Sequence, residues 1–286
     1  MPIPAYVFFP PGFSSDGVFP GALVVHGHFT EAKEGLGVQW DSALHAIGLY
    51  LAQQGFVTLA PDTRTWGSYL VANEASNGHN DVVAAAQSAA GGNFGTLPQQ
   101  TLIDNLLSGT VLANQAQLRS IAVQGLSLGS DQAMWLAAVD SRIGDAILAG
   151  NYISFGCLND PNLNHSCQTV PGMSARLAAP ASRLLLDAGD IAGLIAPHRL
   201  YAMWGDGDSQ FTQTILGAST TCGQSAADSA RAVYGALGLS TGFVEAPIHG
   251  MVHEIDTTSS YQFLTGKTPV DQLDYGTQVS VRWSAV

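Results

Sequence analysis

A doubly wound α/β fold with a mostly parallel central sheet is what this sequence predicts, on three observations. Short apolar, β-branched runs recur along the chain, helical patterns lie between them, and each run ends in glycine, proline or an acid. The runs are GALVVHG (21–27), GFVTLAPD (55–62), RSIAVQG (119–125), DAILAG (145–150), HRLYAMWG (198–205) and TGFVEAP (241–247). They are apolar almost throughout, as strands buried on both faces are. Alternation of strand and helix puts the loops at the strand carboxyl ends, where any site of such a sheet belongs.

The helices follow from spacing. In WDSALHAIGLYLAQQG, Leu44, Ile47, Gly48 and Leu51 share one helical stripe that stops at Gly55. LGSDQAMWLAAVD gathers Met134, Ala137 and Ala138, and SAADSARAVYGALG (225–238) is a further helix ended by glycine. A helix from about Pro98 to Asn114 closes the least regular part, residues 66–117, whose small and polar stretches ANEASNGHND and AAAQSAAGGNFG read as a cap-like insert at the rim of a pocket. In the tail, 266–286, TQVSVRW alternates Val279, Val281 and Trp283 and predicts a short edge strand. With no internal repeat, residues 1–286 read as one domain.

Composition excludes several functions. Hydrophobic residues make up 46% and charged residues 11% of the 286, which requires a substantial core. A net charge of −12 without any basic, aromatic-interleaved patch argues against nucleic acid. The longest apolar runs are too short to span a bilayer. The opening MPIPAYVFFPPG has neither the basic nor the apolar region of a signal peptide. Lysine occurs only as Lys33 and Lys267, so the surface leans on Ser, Thr, Asn and Gln, which is read as the mark of a secreted or periplasmic protein. Cys157 and Cys167 flank the loop-like LNDPNLNHS, and with Cys222 they leave both a disulfide and buried free thiols open.

The sharpest signal is SIAVQGLSLGSDQAMWLAA. A buried strand runs into Gly125-Leu126-Ser127-Leu128-Gly129 and a helix follows at once, which is G-x-S-x-G in its required strand–turn–helix setting. The serine takes a strained turn, the glycines two residues away on either side clear strand and helix, and the hydroxyl is exposed at a helix N-terminus. There the Leu128 N–H can stabilise an oxyanion, with a second donor from LVVHGHF, the backbone N–H of His28 or of Phe29. Such an elbow expects an acid after a later strand and a histidine after the next. HRLYAMWGDGDSQF offers Asp206 and Asp208, and TGFVEAPIHGMVHEID offers His249 and His253. The pocket wall is expected from Phe29, Trp66 and Leu126.

Metal chemistry is not expected. His249 and His253 stand four apart, but Pro247 and Gly250 keep the segment from being the helix on which two ligands converge, and no third ligand is evident. GDGDSQ lacks the downstream glutamate of a calcium loop. Asp62 and Arg64 are read as braces of a strand end, His45 as a structural residue within a helix, His198 as one opening a strand, and His79 and His165 as solvated loop residues.

At these residues the chain resembles the α/β-hydrolase superfamily. More narrowly it is similar to the dienelactone-hydrolase and acetyl-xylan-esterase-like branch, which shares its core with prolyl-oligopeptidase-type peptidases. The resemblance runs over roughly residues 20–265, on VVHGH, LAQQGFVTLAPDTRTWG, GLSLGSDQAMWLAAVDSRI, SCQTVPGM, LIAPHRLYAMWGDGDSQF and GMVHEIDTTSSYQFL. It implies Ser127 as nucleophile. It implies Asp208 as the acid, since Gly205 and Phe211 fall on the glycine and phenylalanine of the family's G-x-x-D-x-x-F pattern. It implies His253 as the base, because Phe263-Leu264 begins ten residues beyond it and fourteen beyond His249. The sequence departs from the family at Thr65 and Ser130, where glycines are usual, and in GMVH, where the GGH pair is lost. Leu128 is not the arginine that glucuronoyl-esterase-like relatives carry, which argues against uronate esters.

The function expected is therefore hydrolysis of carboxylic esters through a Ser127–His253–Asp208 triad and an acyl-enzyme, on small acyl or carbohydrate-linked esters and without a cofactor. The alternatives are a prolyl-oligopeptidase-type serine peptidase, for whose gating domain 286 residues leave no room, and a non-catalytic binding protein of the same fold.

Overall fold

The computed structural model describes residues 3–29, 32–37, 44–63, 67, 96–115, 117–152, 187–205, 207–208, 221–267 and 280–285, with side chains at all but 96–100, 221–225, 247 and 280–285. Among the described residues eight strands, β1 (Pro4–Phe9), β2 (Val18–Val25), β3 (Val57–Pro61), β4 (Gln117–Leu126), β5 (Ile143–Ala149), β6 (Arg199–Gly205), β7 (Phe243–Ile248) and β8 (Ser280–Ala285), form one sheet in the order β7-β6-β5-β4-β2-β3-β1-β8. The six strands anticipated from apolar runs are β2 to β7, and these are mutually parallel. They fill both faces: Leu23, Val25, Val123 and Leu148 enter one apolar cluster, while Ala22, Val24, Ile147 and Met203 enter another on the opposite side. The runs are largely apolar because successive side chains point to opposite faces and both faces of the sheet are covered.

The first strand was not legible in sequence. β1 pairs antiparallel with β3, and β8 pairs antiparallel with β1, so the alternating tail does add an edge strand. Among the described residues seven helices accompany the sheet: α1 (Lys33–Gly37), α2 (Ile47–Gln53), α3 (Thr96–Ala113), α4 (Leu128–Val139), α5 (Ala188–Gly193), α6 (Thr221–Ala236) and α7 (Thr257–Thr265). The helix expected across WDSALHAIGLYLAQQG is shorter than its stripe. His45 and Ala46 take left-handed backbone angles, φ 48° and 45°, so the helix begins only at Ile47 and His45 precedes it. The stripe is real in burial, since Leu44, Ile47 and Leu51 are fully buried, but Leu44 reaches the core from a turn.

β2 lies between β3 and β4, so the chain leaves β2 to one side and later returns to the other. The carboxyl ends of β2 and β4 therefore flank the point where strand order reverses, the crevice in which open parallel sheets place their ligands. Register holds Val25 opposite Gly125, so His26-Gly27 and Leu126-Ser127 leave the sheet side by side.

Two further ties secure the strand ends. Lys33 Nζ sits 2.7 Å from Asp62 Oδ2, and the Lys33 N–H donates to Oδ1 of the same carboxylate at 3.1 Å. Asp62 follows β3 and Lys33 opens α1, so this buried pair ties the segments that leave β3 and β2; the brace read at Asp62 has Lys33 as a partner, and Arg64 lies outside the described residues. Just past α4, Arg142 forks onto Asp140 and also donates to Thr110 Oγ1 and the Leu106 carbonyl of α3, holding α3 against the end of α4. Residues 68–95 of the expected insert lie outside the described residues, as do Cys157 and Cys167. Among the described residues no helix is long and apolar enough to cross a membrane.

Removing one member of a buried ion pair strands the other charge in the interior, at a cost of about 3–5 kcal/mol. Lys33→Met is expected to lose about that much stability in urea denaturation at neutral pH. A loss within experimental error would show that Asp62 is not held by charge pairing.

Candidate functional site

The site is built where backbones touch. A side chain on Gly125 would strike the carbonyl of Gly129, and one on Gly129 would strike the carbonyl of Val25. The two glycines of G-x-S-x-G thus let β4 turn directly into α4 while α4 presses on the end of β2. Between them Ser127 is held at φ 59°, ψ −121°, a conformation that non-glycine residues avoid unless the surroundings impose it. The Ser127 N–H donates to the Ala149 carbonyl at 2.9 Å, pinning the turn to the end of β5. Leu128 is the first residue of α4, so its N–H is one of those a helix leaves unpaired within itself.

The loop after β2 crosses immediately above. A Cβ on Gly27 would lie 2.8 Å from Ser127 Cβ and 2.6 Å from the Leu126 carbonyl oxygen, so only glycine lets HGH pass so close to the serine. His26 is fully buried and has defined partners: Nδ1 lies 2.8 Å from the Gly27 carbonyl, and Nε2 accepts the Thr63 N–H at 2.8 Å. An Nε2 that accepts and an Nδ1 that donates define a neutral imidazole, consistent with burial lowering its pKa. His26 therefore acts as a strut from the end of β3 to the loop carrying His28 and Phe29. The Phe29 N–H donates to the Gly27 carbonyl at 2.9 Å.

On the other side β6 delivers Asp208. A side chain on Gly205 would collide with the Met251 carbonyl, and the Gly207 N–H donates to that same oxygen at 3.0 Å. This contact lays the turn after β6 against the loop after β7. Asp208 Oδ2 accepts from His253 Nδ1 at 2.7 Å; the Asp208 side chain is fully buried, and that of His253 retains 14% exposure. The imidazole also rests on Gly150, where a Cβ would lie 3.0 Å from its Cε1, and the Phe29 ring centroid is 6.1 Å away. Ser127 is thus bonded to Ala149, and His253 rests on the next residue, Gly150.

Of the residues singled out in sequence, Ser127, Leu128, His28, Phe29, Asp208 and His253 gather at this end of the sheet. Leu126 is also here, but it is fully buried in the apolar cluster beneath Gly150 and forms the floor under the site. Trp66 and Asp206 lie outside the described residues. His249 is exposed in the turn after β7, and the carboxylate at Asp208 is bonded by His253. Sequence reasoning missed Gly27, Gly150, His26 and Glu254, whose importance lies in close approach and long-range pairing that no local pattern announces. Among the described residues no group of three His, Cys, Asp or Glu side chains is arranged to hold a metal.

No protein-family model and no curated protein matches this sequence. Solved structures do resemble it. A methylesterase superposes with a TM-score of 0.58 at 16% identity over 92% of this chain, although the chain spans only 51% of that protein. Est1E from Butyrivibrio proteoclasticus gives 0.53 at 14% identity, covering 92% of this chain and 93% of its own. An acylaminoacyl peptidase gives 0.59 at 13% identity, covering 96% of this chain but 41% of its own. These likenesses and the strand order make the architecture that of an α/β-hydrolase fold.

One titration beside the elbow is testable by itself. Asp131, in the first turn of α4, accepts from the Asn151 amide at 2.8 Å, but desolvation outweighs that bond and pushes its carboxyl from 3.8 up to about 8. The native state thus keeps a proton that the unfolded chain releases near 3.8, so this group's contribution to stability is complete below that pH and is lost as pH rises toward 8. Asp131→Asn removes the dependence: its melting temperature relative to wild type should climb from pH 5 to pH 8 and level off above, as read by thermal denaturation over about pH 5–9. A difference constant across that range would refute the assignment.

Proposed function

We propose that the protein is a serine hydrolase of carboxylic esters. The observation that carries this reading is the 2.7 Å bond from His253 Nδ1 to a fully buried Asp208, set beside a serine in the strained elbow at the sheet's switch point. A proton on Nδ1, held by the carboxylate, leaves Nε2 as the basic nitrogen of the ring.

In the proposed cycle Nε2 takes the Ser127 hydroxyl proton as Oγ attacks the ester carbonyl. The carbonyl oxygen becomes an oxyanion, stabilised by the N–H groups of Leu128 and His28 and by the positive end of α4. The tetrahedral intermediate collapses, His253 passes the proton to the departing alkoxide, and the acyl group stays on Ser127. Water then attacks the acyl-enzyme with His253 again as base, releasing the acid and restoring the serine. Asp208 keeps its negative charge throughout and stabilises the imidazolium.

Small acyl or carbohydrate-linked esters are the proposed substrates. Support comes from the methylesterase and from Est1E, one structure of which holds ferulic acid. The same core in an acylaminoacyl peptidase favours amide hydrolysis as the second reading.

Ser127→Ala and His253→Ala should each lower kcat for p-nitrophenyl acetate by about 10³-fold or more while the fold survives. A fluorophosphonate probe should label Ser127 in wild type alone, read by intact-protein mass. Near-normal turnover by either variant would sink the assignment. Turnover of acyl-peptide anilides with none of esters would favour the peptidase, and no adduct on wild type would favour a binding protein of this fold.

A further inference from the structure

The loop carrying His253 holds a second carboxylate–imidazole pair that this chemistry does not use. Glu254, the next residue, has Oε2 2.7 Å from His45 Nε2, and each of the two side chains keeps 25% exposure. The other Glu254 oxygen accepts the Val252 N–H at 3.4 Å, while the Glu254 N–H donates to the Val252 carbonyl at 2.9 Å. The carboxylate therefore closes the 252–254 turn around His253 and fastens it to a residue 209 positions away.

The far end of this tie is itself fixed. His45 and Ala46 both adopt the left-handed conformation, neither being glycine, and the Ala46 N–H donates to the Gly35 carbonyl at 3.0 Å. Leu44, Ala46 and Ile47 on either side are fully buried. The backbone is thus turned so that its neighbours enter the core while the imidazole of His45 reaches Glu254.

His253 needs such support. Asp208 holds only one nitrogen, so rotation about that bond is not restrained by it, and the surface beneath the ring is Gly150, which has no side chain to steer it. We infer that His45 and Glu254 form a latch that positions the His253 loop so that the imidazole meets Ser127. Both are positioning residues, in contact with neither substrate nor reacting atoms. The inference rests on the esterase reading above.

The test measures kcat and KM for p-nitrophenyl acetate, together with the rate of fluorophosphonate labelling of Ser127, in folded protein. His45→Ala and Glu254→Ala should each lower kcat and the labelling rate about tenfold, with KM within about twofold, because a loosened base acts on the chemical step rather than on ground-state binding. The double variant should be no slower than the slower single one, as for two halves of one interaction. Glu254→Gln still accepts the His45 N–H and should stay within about threefold of wild type. Should Glu254→Ala fail to fold, His45→Ala made in the Glu254→Gln background decides, and it should show the same tenfold loss. Losses that multiply in the double variant, a Gln variant as slow as the alanine one, or single variants indistinguishable from wild type would overturn the latch while leaving the esterase reading intact. A wild-type protein that neither turns over esters nor takes the probe would overturn the esterase reading and the latch with it.

Discussion

The close approach of β2, β4 and α4 at Gly125, Gly129 and Gly27 is the constraint on which the rest of the site depends. These glycines touch backbone, and backbone cannot move aside as the end of a side chain can. With a Cβ at Gly129 the helix would lift from Val25, and with one at Gly27 the loop after β2 would lift from Ser127. Either shift would part the elbow from the N–H groups expected to face it. Gly205 plays the same part on the far side, where its contact with the Met251 carbonyl lets the turn bearing Asp208 and the loop bearing His253 share one surface. Contacts of this kind hold a strained serine in place because the surrounding sheet over-determines its backbone.

Charge is scarce in this chain, and two of its buried carboxylates, Asp62 and Asp208, stand beside a lysine and an imidazole. Lys33 with Asp62 and Asp208 with His253 both stand at carboxyl ends of strands, on the loops that make the site. Burial makes such pairs poor sources of net stability, because desolvation offsets most of the attraction. Their effect is geometric: each pair bonds one loop at this end of the sheet to another. His26 does similar work without charge, its neutral ring bridging the Gly27 carbonyl and the Thr63 N–H.

The contrast between Asp208 and His253 matters chemically. The acid is sealed from solvent, while the imidazole keeps a solvent-facing edge. In the proposed cycle the buried carboxylate would hold one tautomer of the ring, and the partly exposed ring would exchange protons with substrate and water. The same end of the sheet also carries the second imidazole–carboxylate pair, His45 with Glu254, so that the loop after β7 is held from both sides.

What the sequence determined by itself was whatever depends on local pattern. Strands buried on both faces are largely apolar, so β2 to β7 could be read directly, and the elbow could be read because strand, tight turn and helix are contiguous around Ser127. β1 escaped notice because PAYVFF lies on the antiparallel flank of the sheet, paired with β3 and with a strand from the far end of the chain. His45 was misread as helical because the burial stripe through Leu44 and Ile47 continues across two left-handed residues that spacing does not reveal. Tertiary structure decided the pairings: which carboxylate bonds His253, that Leu126 lies beneath the site, and that Glu254 meets His45 across 209 residues. The physical reason is one of range. Periodicity and turn chemistry act over a few residues, whereas a hydrogen bond between loops depends on where every intervening strand comes to rest.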